Sequence, residues 1–373
     1  MSQWLAHVIE RAANVDDWLS PVRASALAEL KQKEWPGRRT EAWRYTSLHK
    51  VADLNLRAGS QASAEAPQVN GLNSIDLVFV DGRLTTDIAQ LQLPAGISIT
   101  ALDAKSEAAD ALFAKVKPAH HLFGLINDVL AQQGIVIDVA EGSQVEQPIR
   151  IVNVATDGVE SHQRTLVRVG KGARATIIEH GAGNEQSLNT VFAEYDIADN
   201  AKLEHYRLAL QEDQAIHVGG SHFRLHNESK LNSTLVGYGS QLTRLDVDIE
   251  HAGEHAFAKF NNIYLLAPHE HFDLHSTIEH AQPNGTTEEN ARGIIGDKAK
   301  AVFNGRIHIH RDAQKTLAEL NNRNLLLSRG AQINTKPELE IYADDVQCAH
   351  GATVAEIDEE ALYYMLTRGI DKQ

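Results

Sequence analysis

Val169-Gly170-Lys171-Gly172-Ala173, Ile197-Ala198-Asp199-Asn200-Ala201 and Leu225-His226-Asn227-Glu228-Ser229 each combine an apolar residue, a turn and a small residue, and they recur every 28 residues before the register drifts. They sit inside a region, from about Gly134, of short β-branched and apolar runs separated by Gly, Asn, Asp or Ser. Such runs read as strands. A fixed period in an all-strand region points to stacked coils, as in a β-helix, or to a large sandwich. Stacked coils suit the absence of long helices between the strands, which a βαβ sheet would need.

Outside this region the texture changes. To about Leu56 the chain carries helical punctuation: Asp16-Asp17 precede an apolar-periodic run, and Ser25 to Glu34 is rich in Ala, Leu, Glu and Lys before Pro36-Gly37. Trp4, Trp18, Trp35 and Trp43 all lie here and are expected to serve packing. Residues 57–70 are small and polar, which predicts a mobile linker. Then come a strand at Ile75 to Val80 with an Asp81-Gly82 turn, and a helix over Asp103 to Lys117 ended by Pro118. Helical character returns from Asp358 to Arg368.

Composition excludes several classes. Lys plus Arg is 35 against 50 acidic residues, a net charge of −15, with no basic run to track a phosphate backbone, so no nucleic-acid partner is expected. The N-terminus lacks a basic and apolar leader, and no stretch approaches the apolar length of a membrane span. The expectation is a soluble, cytoplasmic protein with no membrane partner, consistent with a single cysteine. No phosphate loop, dinucleotide fingerprint or nucleophile elbow occurs, so ATP used with this chain must be bound elsewhere.

The chemistry-bearing residues are a lone thiol and many imidazoles. Cys348 and His350, with Val346, fall on one face of an extended segment, and they make half of a soft-metal site. With no second cysteine, this pair is either structural or completed from elsewhere, including another chain. As a nucleophile and base they would stand roughly 7 Å apart with no orienting third group. In Arg306-Ile307-His308-Ile309-His310 the alternation describes a half-buried strand, with solvated histidines favoured over metal ligands. His251-Ala252-Gly253-Glu254-His255 matches H-x-x-E-H, but Ala252-Gly253 reads as a turn rather than the helix that motif needs. His269-Glu270-His271 offers an alternative function, a metal-dependent β-helix or cupin-like enzyme.

Larger motifs decide between these readings. Phe303-Asn304-Gly305-Arg306-Ile307, Ala313-Gln314-Lys315-Thr316, Asn324 to Ser328, Thr335-Lys336-Pro337-Glu338-Leu339-Glu340-Ile341 and Ala343 to Thr353 closely resemble the SufB/SufD family of iron–sulfur cluster assembly proteins. Glu41-Ala42-Trp43-Arg44-Tyr45-Thr46 is similar to a motif near that family's N-terminus. The version Cys348-Ala349-His350-Gly351-Ala352-Thr353 resembles the SufD branch, whereas the SufB branch carries a Glu-His-Glu-containing sequence there.

The resemblance implies a mainly β fold: a helical or α+β region over 1–133, a right-handed parallel β-helix over 134–357, and a short C-terminal helical region over 358–373, cut short at Gln373 relative to the family. It implies a non-catalytic scaffold subunit that pairs with a SufB-like paralogue through the last coils, with a SufC-like ABC ATPase supplying ATP hydrolysis. The short C-terminus weakens the expectation that this chain docks SufC. His350 is implied as a ligand or sulfur-relay residue of a transient iron–sulfur cluster shared with SufB. Cys348 and Val346 are implied as interface residues, Cys348 also approaching metal. No cofactor is expected to be tightly bound in the isolated chain, and a homodimer through the same edge is expected when SufB is missing.

Overall fold

The computed structural model describes residues 2–59, 63–103, 105–356 and 358–371. Two largely parallel sheets face each other and are wound coil on coil. One contains Ile97–Ala101, Gln133–Val139, Val159–Val169, Ser187–Ile197, Ala215–Leu225, Leu242–His251, His271–His280, Lys300–Ile309 and Gln332–Ile341 in spatial order. The other runs from the hairpin Ile75–Val80 and Arg83–Leu84 through Ile149–Val154, Arg174–Gly183, Lys202–Gln211, Lys230–Tyr238, Phe257–Leu266, Thr286–Ile295 and Leu317–Leu326 to Gln347–Glu356. We call them the first and second sheet. This is a parallel β-solenoid, the stacked-coil alternative of the two that the 28-residue recurrence allows. In the second sheet Arg174, Lys202 and Lys230 pair in register, one period apart.

The turn residues explain why the period holds and then drifts. Gly172, Asn200, Glu228, His255, Asn284 and Lys315 all have φ between 55° and 64°, and each lies two residues before a strand of the second sheet. For a non-glycine residue this left-handed conformation costs on the order of 1 kcal/mol. Bonds between coils offset it: the amide of Gly172 donates to the Asp199 carbonyl (2.9 Å), that of Asn200 to Asn227 (2.8 Å) and that of Glu228 to Glu254 (2.8 Å). Beyond Glu228 the spacing of these turn residues first shortens, to His255, and then lengthens, to Asn284 and Lys315, while the strand ladder stays continuous.

Between the sheets lies one apolar core, with Ile137, Tyr195, Phe223, Leu231, Phe260, Phe272, Phe303 and Ile307 at 0–1% exposure. A second cluster covers the outside of the first sheet. Helix Gln3–Ala12, started by Ser2, whose Oγ accepts from the Leu5 amide, presents Trp4, Leu5 and Val8. With Trp43, Phe123 and Ile126 these pack on Leu188, Phe192, Ile216 and Val218. Strands Ser187–Ile197 and Ala215–Leu225 are thereby buried on both faces. Trp4 and Trp43 are buried and Trp18 and Trp35 pack against apolar clusters, as expected.

Three sequence expectations are revised. The run 57–70 begins with a strand, Arg57–Ala58, paired to Val159–Glu160; its residues 60–62 lie outside the described set. The helix expected over Asp103 to Lys117, whose Ala104 also lies outside the described residues, is limited to Glu107–Leu112. Ala114 turns left-handed (φ 56°), and the buried Glu194 carboxylate accepts the amides of Ala114, Lys115, Val116 and Lys117 at 2.8–2.9 Å. Finally, Leu122–Leu130 is a helix the sequence reading did not mark.

The motif Glu41 to Thr46 has a structural role. Arg244 lies over the Trp43 ring (4.6 Å), donates to the Ala42 carbonyl (2.9 Å) and pairs with Asp246 and Asp273 (2.7 Å each). Thr46 Oγ1 donates to Asp273 (2.5 Å). These bonds pin the N-terminal region to the first sheet.

Candidate functional site

Cys348 and His350 lie on Gln347–Glu356, the last strand of the second sheet, whose outer edge has no partner strand among the described residues. Register defines where they point, because residues directly opposite in a parallel ladder share a face. Cys348 pairs with Ala318 and His350 with Leu320, both fully buried inward residues. His350 thus ends the column His205, Ser233, Phe260, Glu289, Leu320. Cys348 ends the column Leu203, Leu231, Ala258, Thr287, Ala318. Both occupy core positions over which no further coil closes among the described residues.

The consequence is a graded exposure. Cys348 and Val346 are half-buried and pack against the core cluster with Ile333 and Leu339 of Gln332–Ile341, whereas His350 is exposed. Burial pushes the Cys348 thiol above its ordinary pKa, against a smaller lowering by its hydrogen bond with the Ala318 backbone. The thiol form therefore dominates at neutral pH, unlike an activated nucleophile. Near the same end, Thr335 donates to Asn322 (2.8 Å), and the Asn324 amide donates to the Asn322 side-chain carbonyl (2.6 Å). Ile341, Tyr342 and Val354 expose apolar surface, as do Tyr363 and Tyr364 on helix Glu359–Thr367.

The other motifs are placed differently. His251 ends a strand and is buried, while His255 occupies a left-handed turn, so the H-x-x-E-H residues form no helix. His269 is likewise a left-handed turn residue (φ 68°), and His271 shares a hydrogen bond with Thr46 Oγ1 (2.9 Å). Among the described residues, three metal-type donors lie within 4.8 Å of one another only in His121–His222–Asp248 and Glu279–His308–His310. Neither group includes His269, His271, Cys348 or His350. In the first, Asp248 Oδ2 is hydrogen-bonded to both rings, at 2.9 and 2.8 Å, across the junction of the N-terminal region and the first sheet. These partnerships join residues one coil or more apart, and only the coil register reveals them.

Comparison with known proteins agrees with this architecture. Residues 6–151 match the SufBD protein N-terminal region, and residues 151–373 match the SufBD core domain of SUF-system iron–sulfur cluster assembly. The chain is 31% identical to the iron–sulfur cluster assembly protein SufD of Escherichia coli, over 95% of this chain and 85% of that one. It is 26% identical to an iron–sulfur cluster assembly SufBD family protein of Synechocystis, over 95% and 84%, and 28% identical to the chloroplastic protein ABCI7 of Arabidopsis thaliana, over 98% and 83%. No helix among the described residues is long and apolar enough to cross a membrane. A solenoid of this topology, ending in Cys348 and His350 and matched along nearly its whole length, belongs to the SufB/SufD family of iron–sulfur cluster assembly proteins.

Proposed function

We propose that this chain is a scaffold subunit whose uncapped solenoid end docks the corresponding end of a SufB-like paralogue, and that His350 contributes to a nascent iron–sulfur cluster at that junction. The observation that carries the reading is the position of His350: an exposed imidazole at a core position, in no group of three metal-type donors among the described residues. Such a residue supplies part of a coordination set and needs a second chain for the rest, which suits a cluster that must be assembled and then released. The edge strands Gln332–Ile341 and Gln347–Glu356, whose outer edges have no partner strand among the described residues, supply backbone donors and acceptors, and the half-buried Val346 and Cys348 supply apolar contact. A second copy of this chain could use the same edges, which gives the homodimer reading.

In this reading residues 1–133 supply the helices packed on the first sheet together with the opening strands of both sheets, residues 134–357 form the solenoid coils that carry the site, and residues 358–373 are the C-terminal helical region. ATP hydrolysis belongs to a SufC-like partner. The test is anaerobic cluster reconstitution with the SufB-like and SufC-like partners, comparing wild type with His350→Ala by visible absorption and iron and sulfide content. Loss of cluster from an intact complex is the expected result. Unchanged cluster yield overturns the assignment of His350.

A further inference from the structure

We infer that Glu279, His308 and His310 form a binding site for a first-row divalent metal ion on the outer face of the first sheet, separate from the solenoid end. Glu279 and His308 are direct neighbours across strands His271–His280 and Lys300–Ile309, and His310 follows just beyond the second strand. Alternation sends Ile307 and Ile309 into the core and leaves both imidazoles outside. The two rings stack with centroids 4.4 Å apart and planes 27° from parallel.

The donor atoms converge without bonding. His308 Nδ1 lies 3.7 Å from one Glu279 carboxylate oxygen, and His310 Nε2 lies 4.0 Å from the other. Both separations exceed a hydrogen bond, and neither nitrogen has another hydrogen-bond partner although both atoms are shielded from solvent. Shielded polar atoms without partners call for an explanation, an ion among them. One donor atom from each residue falls within 4.8 Å of the others. Around a tetrahedral zinc with bonds of about 2.0–2.1 Å, ligand atoms stand roughly 3.3 Å apart. The gap to that geometry is a fraction of an ångström for the nitrogen–oxygen pairs. The Glu279 and His310 side chains, 42% and 45% exposed, are free enough to close it, while His308, at 18%, is the fixed point.

Two neighbours favour the same conclusion. The Arg306 guanidinium, whose charge also acts on Glu279, gives its hydrogen bonds to both oxygens of Glu340 at 3.0 and 2.6 Å and none to Glu279. Tyr342 packs edge-on against His308 (5.5 Å, 70°) and restricts its ring. Two imidazoles and a carboxylate with open positions suit Zn(II) or Fe(II) and differ from the all-oxygen sets of magnesium and calcium. The His121–His222–Asp248 group is a poorer candidate because hydrogen bonds already occupy its carboxylate. This inference is independent of the role proposed for His350.

Anaerobic titration of the full chain with Co(II), read by ligand-field absorption and displaced by Zn(II), tests it. Wild type is expected to take up about one equivalent with nitrogen–oxygen bands. His308→Ala and Glu279→Gln are expected to weaken binding at least roughly tenfold, while His350→Ala and His121→Ala leave it unchanged. Circular dichroism melts establish that each variant is folded, and a folded His308→Ala/His310→Ala double variant that binds Co(II) as tightly as wild type overturns the inference. So does binding lost in His350→Ala and retained in His308→Ala, because it would place the ion at the solenoid end.

Discussion

His205 and His350 belong to one inward-facing column of the second sheet, near its middle and at its end, and they do opposite things. His205 is 1% exposed; its two ring nitrogens engage Ser233 Oγ and Glu179 Oε1, each at 2.9 Å, and its ring packs against Tyr195 and Phe223. His350 occupies the same kind of position with no coil above it among the described residues. In this fold a histidine's role is set by what covers its column rather than by residue type. The coil around His205 satisfies its polar groups internally, whereas His350, in the last described coil, stays exposed.

The largest expected effect breaks the closed side of that comparison. Burial would raise the Glu179 carboxyl, but Arg207 and the bonds from His205 and Ser221 outweigh it and hold it down to about 2. Arg207→Ala leaves a buried carboxylate short of its cation, at an expected cost of about 3–5 kcal/mol in denaturant unfolding. Because the folded pKa lies below the ordinary 4.5, the stability from this group is complete above that value and is lost as pH falls toward 2. Arg207→Ala should flatten this acid limb. A cost under about 1 kcal/mol would mean that the central network is not what makes these coils different.

A smaller effect comes from Glu289, two coils below His350 in the same column. Burial pushes its carboxyl from 4.5 up to about 7, against a lowering by the hydrogen bond from Ser276 (2.6 Å). Here the folded form binds the proton more tightly, so its contribution is complete below about 4.5 and declines as pH rises through 7. Glu289→Gln is expected to add about 2–3 kcal/mol at pH 8 and nothing at pH 4, read from urea midpoints at the two pH values. A gain equal at both pH values would show that burial does not raise the Glu289 carboxyl above its ordinary value. By contrast, His350→Ala should shift the isolated chain's stability by no more than about 0.5 kcal/mol while abolishing cluster formation with partners. A large stability loss would return His350 to the structural class of His205.

The solenoid was legible because its period is written in the turns: Gly172, Asn200 and Glu228 stand 28 residues apart and adopt the same left-handed conformation. The alternation in Arg306 to His310 likewise identified inside and outside correctly. What stayed hidden depends on distant packing. Helix Leu122–Leu130 is buried from Leu122 through Val129, and its polar residues Asn127 and Asp128 meet buried partners, Gln163, Thr190, Lys117 and Arg164, that only the folded chain brings together. The shortening of the helix over Glu107–Leu112 depends on Glu194, some eighty residues away in sequence. Glu279 was not linked to His308 because their 29-residue separation has meaning only once the coil length at that point is known. The positions of Cys348 and His350 on one extended face followed from their spacing. That this face lies at the end of the described core did not, since exposure depends on packing rather than on spacing.

The smallest effect, and the sharpest probe of the open end, concerns Cys348. Its half-buried thiol, with a pKa raised by burial, carries little thiolate at neutral pH. Alkylation by iodoacetamide should therefore be slow at pH 7 and accelerate above the ordinary thiol value of 9.0, since the thiolate is the reacting species. Docking of a partner on the Gln347–Glu356 edge should suppress the reaction further by covering the remaining exposure, and mass spectrometry of the single cysteine reads both effects. Fast alkylation at pH 7 in the isolated chain would contradict the burial argument, because the thiol would then be as open as His350 and the gradation across the solenoid end would disappear. Slow alkylation that the partner does not slow further would move the docking surface away from this edge, leaving the exposed imidazole without a second chain to complete its set.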